Sequence, residues 1–322
     1  MIAKVLYSQL FVTPPPPHFD CSGMTFIITG GNGGLGKEAA RHFVRSGATK
    51  VIIACRSVDK GETAKEDIES STQRSGVVEV WPLDLQNYDS IKSFAARVGE
   101  LDRVDVLLEN AGINTQKFSL AEGSESCITV NVISVFLLAL LVLPHLQAMG
   151  QRHNITPTIT IVSSEVHGFT SFPERKAPHI LEGLNDEKTA RMVDRYNVSK
   201  LLGVLACREI VQNHPVKQLK VTLDLVNPGL CQSGLMREMD SAFVRAFQRI
   251  VGRTAEVGSR TLVHASMQGP QWHGQYFSDG HPAKFEGIVR SKECAPIQTK
   301  VWTELAAKLE EIEPGCTKGL EA

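Results

Sequence analysis

The chain has 322 residues, 42% of them hydrophobic, enough for a sizeable core and too many for a disordered chain. Its 34 basic and 35 acidic residues give a formal net charge of −1, which gives no reason to expect nucleic acid or another polyanion as partner. None of the seven cysteines forms a CxxC pair and none of the ten histidines falls in an HExxH pattern, so a disulfide framework and a metal site are not expected and a reducing, cytoplasmic setting fits better.

The first 22 residues read as a lead-in, mildly apolar to Val12 and then stiffened into extended chain by Pro14-Pro15-Pro16-Pro17. They lack the charged start, long apolar stretch and small-residue cleavage site of a secretory signal. From residue 23 onward a single α/β domain is expected. Short β-rich runs mark strands at Phe26–Ile28, Val51–Ile53, Val77–Trp81, Val104–Leu108, Ile159–Val162 and Val221–Val226, with a short last one at Tyr276-Phe277. Helices are expected at Lys37–Arg45, Ala255–Met267 and Lys300–Ile312. The apolar run Ile128–Leu143 is 16 residues long and broken by Thr129, Asn131 and Ser134, shorter than the roughly 20 residues a membrane span needs, so it reads as a buried helix. It would suit a homodimer contact, and burial within one subunit explains it equally well. Strands alternating with helical crossovers predict a Rossmann-type, doubly wound parallel sheet. Residues 165–195 read as an elaborated substrate loop and 228–300 as a C-terminal substrate-side region.

The first strand runs into Thr29-Gly-Gly-Asn-Gly-Gly-Leu-Gly36 and then a helix. Gly31, Gly33 and Gly36 satisfy GxGxxG; Thr29, Gly30, Gly34 and Gly36 satisfy TGxxxGxG. Either parse makes this turn, with Asn32 and Leu35, a pyrophosphate cradle. Glycines let the backbone approach the ligand, and the helix start offers free N–H groups and partial positive charge. A ribose-binding acid is expected about 20 positions on. The second strand ends instead in Ala54-Cys55-Arg56, and Arg56 would pair with a 2′-phosphate, favouring NADP(H). Lys37 either adds to that site or sits on the helix surface.

The run Tyr196-Asn-Val-Ser-Lys200 puts phenol and amine on one face of a helix. A nearby ammonium, with the oxidised nicotinamide, would lower a phenol pKa from about 10 and make Tyr196 a usable acid and base. Ser164, with Ser163 as fallback, ends the fifth strand, where a hydroxyl could stabilise charge on a substrate oxygen. Asn131 needs partners inside an apolar run, either backbone groups or a water relaying protons from Lys200.

Together these residues resemble the classical short-chain dehydrogenase/reductase family. The glycine turn, Asp84-Leu85 on the adenine side, Asn110-Ala111-Gly112 after the fourth strand, and Asn131, Ser164, Tyr196 and Lys200 as a catalytic tetrad carry the likeness. Pro228-Gly229 after the sixth strand matches the turn that lies against the nicotinamide, with Ser233 where a threonine is usual. Ala54-Cys-Arg-Ser57, Gly36-Lys-Glu-Ala-Ala-Arg-His-Phe43 and the lead-in are similar to the retinol-dehydrogenase-like group and its fungal relatives. That group implies NADP(H), a lipophilic alcohol or carbonyl substrate and, in fungi, secondary-metabolite tailoring. Non-redox cyclisation or isomerisation, or a cofactor-binding scaffold, are the competing readings. Two departures stand out. Glu109 replaces the first Asn of an NNAG run, and 32 positions separate Ser164 from Tyr196, longer than in many classical members. His167, Phe169, Phe172 and Pro173 either line a substrate pocket or pack within their own loop, with Leu230 and Cys231 further candidates for the pocket wall.

Overall fold

Runs such as Thr25–Thr29, Thr158–Val162 and Thr222–Asn227 are buried at every position, which is what a strand covered on both faces requires. The computed structural model describes residues 2–235 and 249–321. In chain order the strands are β1 (Thr25–Thr29), β2 (Lys50–Cys55), β3 (Val78–Pro82), β4 (Val106–Glu109), a small hairpin β5 (Leu120–Ala121) and β6 (Ser124–Glu125), β7 (Thr158–Val162), β8 (Thr222–Asn227), β9 (Tyr276–Ser278) and β10 (His281–Ala283). The main sheet runs β10-β9-β8-β7-β4-β1-β2-β3 and is parallel except for β10, which returns antiparallel to β9. The strand order reverses around β1 and β4, so their carboxyl ends border the crevice where such sheets bind ligands.

The principal helices are α1 (Ile2–Phe11), α2 (Gly34–Arg45), α3 (Val58–Thr72), α4 (Tyr88–Val98), α5 (Ser126–His153), α6 (Ile180–Leu184), α7 (Met192–Asn213), α8 (Ala255–Ser266) and α9 (Cys294–Ile312). One face of the sheet is closed by α2, α3 and α8 through Phe43, Ile68 and Leu262. The other is closed by α4, α5, α7 and α9 through Phe94, Phe136, Leu202 and Leu305. Both layers of a doubly wound Rossmann-type domain are therefore present.

Three sequence expectations change. The lead-in is not extended throughout, because residues 2–11 form α1. Ser8 and Gln9 anchor that helix by hydrogen bonds, whereas Leu6, Tyr7, Leu10 and Phe11 are exposed, so apolar periodicity gave no signal for it. The apolar helix is longer than its apolar run. It spans 28 residues, passes through Pro144 and contains a π-helical stretch at Thr129–Ile133. By length it would cross a bilayer, but 94% of its most apolar window is buried against protein, which makes it a core helix. Finally, 165–195 is a packed segment. It contains 3₁₀ turns at Glu165–Gly168 and Pro173–Lys176 and the short helix α6, whose first N–H groups are capped by Glu304 of α9. Within 228–300, residues 236–248 lie outside the described residues.

Candidate active site

The glycine turn has the shape that a pyrophosphate needs. Gly30 turns the chain at φ +68°, and a Cβ at Gly36 would lie 2.6 Å from both Gly30 O and Asn110 Nδ2, so only glycine lets α2 sit this close. Gly33, at the N-cap of α2, has no side-chain cap, a Cβ on it would meet open space, and the first turn carries no acid. The first N–H groups of α2 are thus left for an anion, and these residues fit a dinucleotide pyrophosphate. Asn32 and Leu35 flank this space half-buried, and a Cβ at Gly34 would face Ser233 Cβ at 3.6 Å.

The Asn110-Ala111-Gly112 turn braces the glycine turn from behind. Thr29 Oγ1 accepts the N–H groups of Asn110 and Ala111, both at 2.9 Å, while Asn110 Nδ2 donates to Thr29 O at 2.8 Å. With both lone pairs engaged, the Thr29 hydroxyl proton goes to Glu109 Oε2 at 3.3 Å. Glu109 is 1% exposed, its Oε1 has no partner, and burial raises its carboxyl to about 8. This departure from NNAG therefore places a protonated acid beneath the cofactor turn at neutral pH.

Arg56 directly follows β2 and is exposed. Lys37 is engaged by Asp67 at 2.6 Å, which assigns it to the helix surface. Asp84 is held in a turn, its Oδ1 accepting from Gln86 N and its N–H donating to Ser90 Oγ, both at 2.9 Å. Leu85 is buried, and its carbonyl accepts from Ser134 Oγ of α5 at 2.6 Å.

At the far end of the crevice α7 presents Tyr196 and Lys200 on one face, with the Lys200 Nζ 5.7 Å from the Tyr196 ring centroid. Lys200 is 9% exposed and donates to Val162 O at 2.7 Å, which ties α7 to the end of β7. The Ser164 hydroxyl, two residues past the end of β7, lies beside the Tyr196 phenol and acts to lower its pKa. Ser163 is buried and its Oγ has no partner, so Ser164 is the serine that reaches the phenol.

The electrostatics differ from expectation. Burial drives the Tyr196 phenol well above its usual range, and the Ser164 hydroxyl offsets only part of this. Burial also lowers the Lys200 ammonium to about 8. Without a bound nicotinamide, desolvation holds Tyr196 as the neutral acid. That is the form a carbonyl oxygen needs as a proton donor.

Asn131 lies in the π-helical stretch of α5, a distortion frequent at functional sites. Its amide donates to Ile113 O (2.8 Å) and Ser199 Oγ (3.0 Å) and accepts from Ile113 N (2.9 Å). The side chain is therefore a clamp between α7 and the chain after Gly112.

Further residues position the site. Asn227 Oδ1 accepts from Glu165 N (3.2 Å) and Gly229 N (3.1 Å), joining the Ser164 segment to the Pro228–Gly229 turn. His167 does not line a pocket. It is fully buried, with Nδ1 on Ser164 O (2.7 Å) and Nε2 accepting from Glu286 N (3.1 Å), between Tyr276 and Phe285. Its Nε2 accepts, so Nδ1 must donate, and the ring is neutral. Phe172 is also fully buried, so the loop packs its own side chains, while Phe169 remains 38% exposed. Cys231 is buried against the turn carbonyls, and its thiol is raised to about 12 by burial. Among the described residues no three His, Cys, Asp or Glu side chains converge on a metal site.

A serine hydroxyl, a neutral phenol and a buried amine thus meet at the carboxyl end of β7, in line with a glycine-lined anion cradle at β1. Comparison with known proteins agrees with this geometry. The profile of the short chain dehydrogenase family matches residues 24–175. The short chain dehydrogenase/reductase dmxR8 of Cryptosporiopsis sp. (strain 8999) is 50% identical over 97% of this chain and 98% of its own. This chain is a short-chain dehydrogenase/reductase. The short-chain dehydrogenase anuD of Penicillium roqueforti is 42% identical over 96% of this chain and 84% of that protein. Among solved structures, NADPH-bound carbonyl reductase from chicken fatty liver superposes with a TM-score of 0.60 at 18% identity, covering 83% of this chain and 99% of that one. An NADP-bound putative gluconate 5-dehydrogenase from Beutenbergia cavernae gives 0.61 at 22% identity, covering 82% and 97%. These two likenesses concern the fold. The short-chain dehydrogenase is an NAD(P)-dependent oxidoreductase of CH–OH or carbonyl groups.

Proposed function

We propose that this short-chain dehydrogenase interconverts a ketone or aldehyde and an alcohol on a lipophilic small molecule, using NADP(H), with Tyr196 as acid and base. The observation that carries the reading is the convergence of Ser164, Tyr196 and Lys200 beside the crevice. When bound, the dinucleotide supplies or accepts the hydride. Ser164 and Tyr196 hydrogen-bond the carbonyl oxygen, and Tyr196 gives it a proton as negative charge develops there. Lys200 stabilises the phenolate left behind, which is re-protonated from solvent water before the next turnover. Gly30, Gly34, Gly36, Asn32 and Leu35 would hold the pyrophosphate, Asp84 and Leu85 the adenine side, and Ala111, Gly112, Pro228, Gly229 and Ser233 the nicotinamide side.

NADP(H) over NAD(H) rests on Arg56 at the end of β2, where the sequence has no acid for a ribose 2′-hydroxyl. The exposed Phe169 in the 165–195 segment favours a lipophilic substrate. Fungal short-chain dehydrogenases as relatives favour tailoring of a secondary metabolite, and seven free cysteines suit a reducing cytoplasm. The test follows NADPH absorbance against a panel of ketones and secondary alcohols. Tyr196→Phe is expected to lower kcat about 10²- to 10⁴-fold while keeping cofactor affinity. Undiminished turnover in Tyr196→Phe would remove the mechanism, and conversion of substrate with no change in NADPH would favour non-redox chemistry.

A further inference from the structure

The N-terminal helix is attached by its polar side to the turn that follows β8. Gln9 Nε2 donates to the carbonyls of Leu230 (2.8 Å) and Val251 (3.3 Å), and Ser8 Oγ donates to Asp279, 2.8 Å from each carboxylate oxygen. Arg253 joins these contacts. It is 7% exposed, its Nη1 donates to Pro228 O (3.2 Å), and its Nη2 reaches Ser8 O (3.1 Å), Ser8 Oγ (3.1 Å), Val12 O (3.0 Å) and Asp279 Oδ1 (2.5 Å). Its backbone N–H also donates to Leu230 O at 2.9 Å. Gly229, at φ +77°, has no room for a side chain, because a Cβ would strike Gln9 Oε1 and lie 3.0 Å from Arg253 Nη1. Asp279 itself stands at φ +58° in the β9–β10 turn, where its carboxylate is anchored by both Ser8 and Arg253.

Residues 2–11 precede the stretch 24–175 that the family profile matches, and of the inward polar side chains of α1, Gln9 reaches the Pro228–Leu230 turn directly and Ser8 reaches it through Arg253. We propose that α1 is a positioning element for the nicotinamide half of the dinucleotide: Ser8 and Gln9, acting with Arg253, hold Pro228–Gly229–Leu230 in place from outside the sheet. The inference rests on the reading that Pro228–Gly229 lies against the nicotinamide. A turn that is already ordered does not have to be ordered at binding, so the clasp raises affinity for the nicotinamide half and leaves the adenine half untouched.

The test compares wild type, Ser8→Ala, Gln9→Ala and the conservative Ser8→Thr by calorimetric titration with NADPH and with 2′,5′-ADP, which carries the adenine half alone. Amide hydrogen exchange is followed over residues 229–232. Ser8→Ala and Gln9→Ala should each weaken NADPH about 3- to 10-fold, the effect of one lost hydrogen bond. Affinity for 2′,5′-ADP should stay unchanged, exchange at 229–232 should rise, and Ser8→Thr should bind like wild type. Unchanged NADPH affinity in both alanine variants overturns the proposal, even if exchange rises. So does equal weakening of both ligands, which would mean general damage to the domain. If wild type binds NADPH no more tightly than 2′,5′-ADP, it is the nicotinamide assignment of the turn that fails, and the exchange data alone still report whether α1 clasps it.

Discussion

At the ends of β1 and β4 two adjacent strand ends brace each other directly, whereas at the ends of β7 and β8 the chain is held by contacts from several further elements. Thr29 and Asn110 exchange three hydrogen bonds with each other's turns, and the glycines do the rest through backbone shape. On the other side Ser164 depends on His167 and Glu286, the Pro228–Gly229 turn depends on Asn227, Arg253, Ser8 and Gln9, and Lys200 depends on Val162 O. The pyrophosphate half is thus a compact device built from two adjacent strand ends. The reacting half is an assembly, placed by several elements at once.

The largest expected effect tests the reacting half at its amine. Lys200→Met keeps the buried stem's volume and should lower kcat for carbonyl reduction about 10²- to 10³-fold, in keeping with loss of an acid–base partner. Burial lowers Lys200 to about 8, so its ammonium is present below that pH and lost above it. Wild-type kcat/KM for reduction should therefore be level below about pH 8 and fall above it, and the Lys200→Met profile should be low and flat. A falling limb retained in Lys200→Met would assign it to another group. Next comes the cradle half. Arg56→Asp should weaken NADPH about 10²-fold, by loss of a charge-assisted contact and added repulsion, while NADH changes little. Equal loss of both would show that Arg56 supports the fold rather than the 2′-phosphate.

The same division explains what could be read from the chain. The sheet, its order and the cradle follow from β-rich runs, a glycine string and the crossover rule, all properties of short segments. Tyr196 and Lys200 share a helix turn, so their meeting was also legible. Their protonation was not, because it is set by how deeply the folded chain buries both groups. Glycine-like or periodic signals do not announce Asn227, His167, Arg253, Ser8 or Gln9. Their partners lie from two to 271 positions away, and only the folded chain brings most of them together. The α1 helix shows the limit plainly, since it turns Ser8 and Gln9 inward and leaves Tyr7 and Phe11 exposed, the reverse of the pattern by which buried faces are recognised.

His167 offers a smaller perturbation of the assembled half. His167→Phe keeps a ring against Tyr276 and Phe285 but removes the bonds to Ser164 O and Glu286 N. If Ser164 is set by this clasp, kcat should fall roughly 10-fold with NADPH affinity unchanged, from about one hydrogen bond's worth of misplacement. Unaltered kcat would mean that Asn227 and the β7 end position Ser164 without help.

The smallest effect falls on the cradle side, at the one place where that half departs from its local design. Glu109 is buried beneath the turn, and burial raises its carboxyl from 4.5 to about 8. In the unfolded chain the acid ionises from about pH 4.5 upward, while the folded chain keeps the proton until about pH 8. The stability it contributes is therefore complete below the lower value and is lost as pH rises through the upper one. Glu109→Gln cannot ionise, so its melting temperature relative to wild type should be higher at pH 8.5 than at pH 5, by roughly 2–6 °C. Since Thr29 Oγ1 can still donate to the carbonyl of the amide that replaces the acid, its grip on Asn110 and Ala111 should survive and NADPH affinity should not move. A pH-independent difference would show that this carboxyl does not titrate in the window. A loss of NADPH affinity would show that the cradle, too, depends on a side chain outside its own turn.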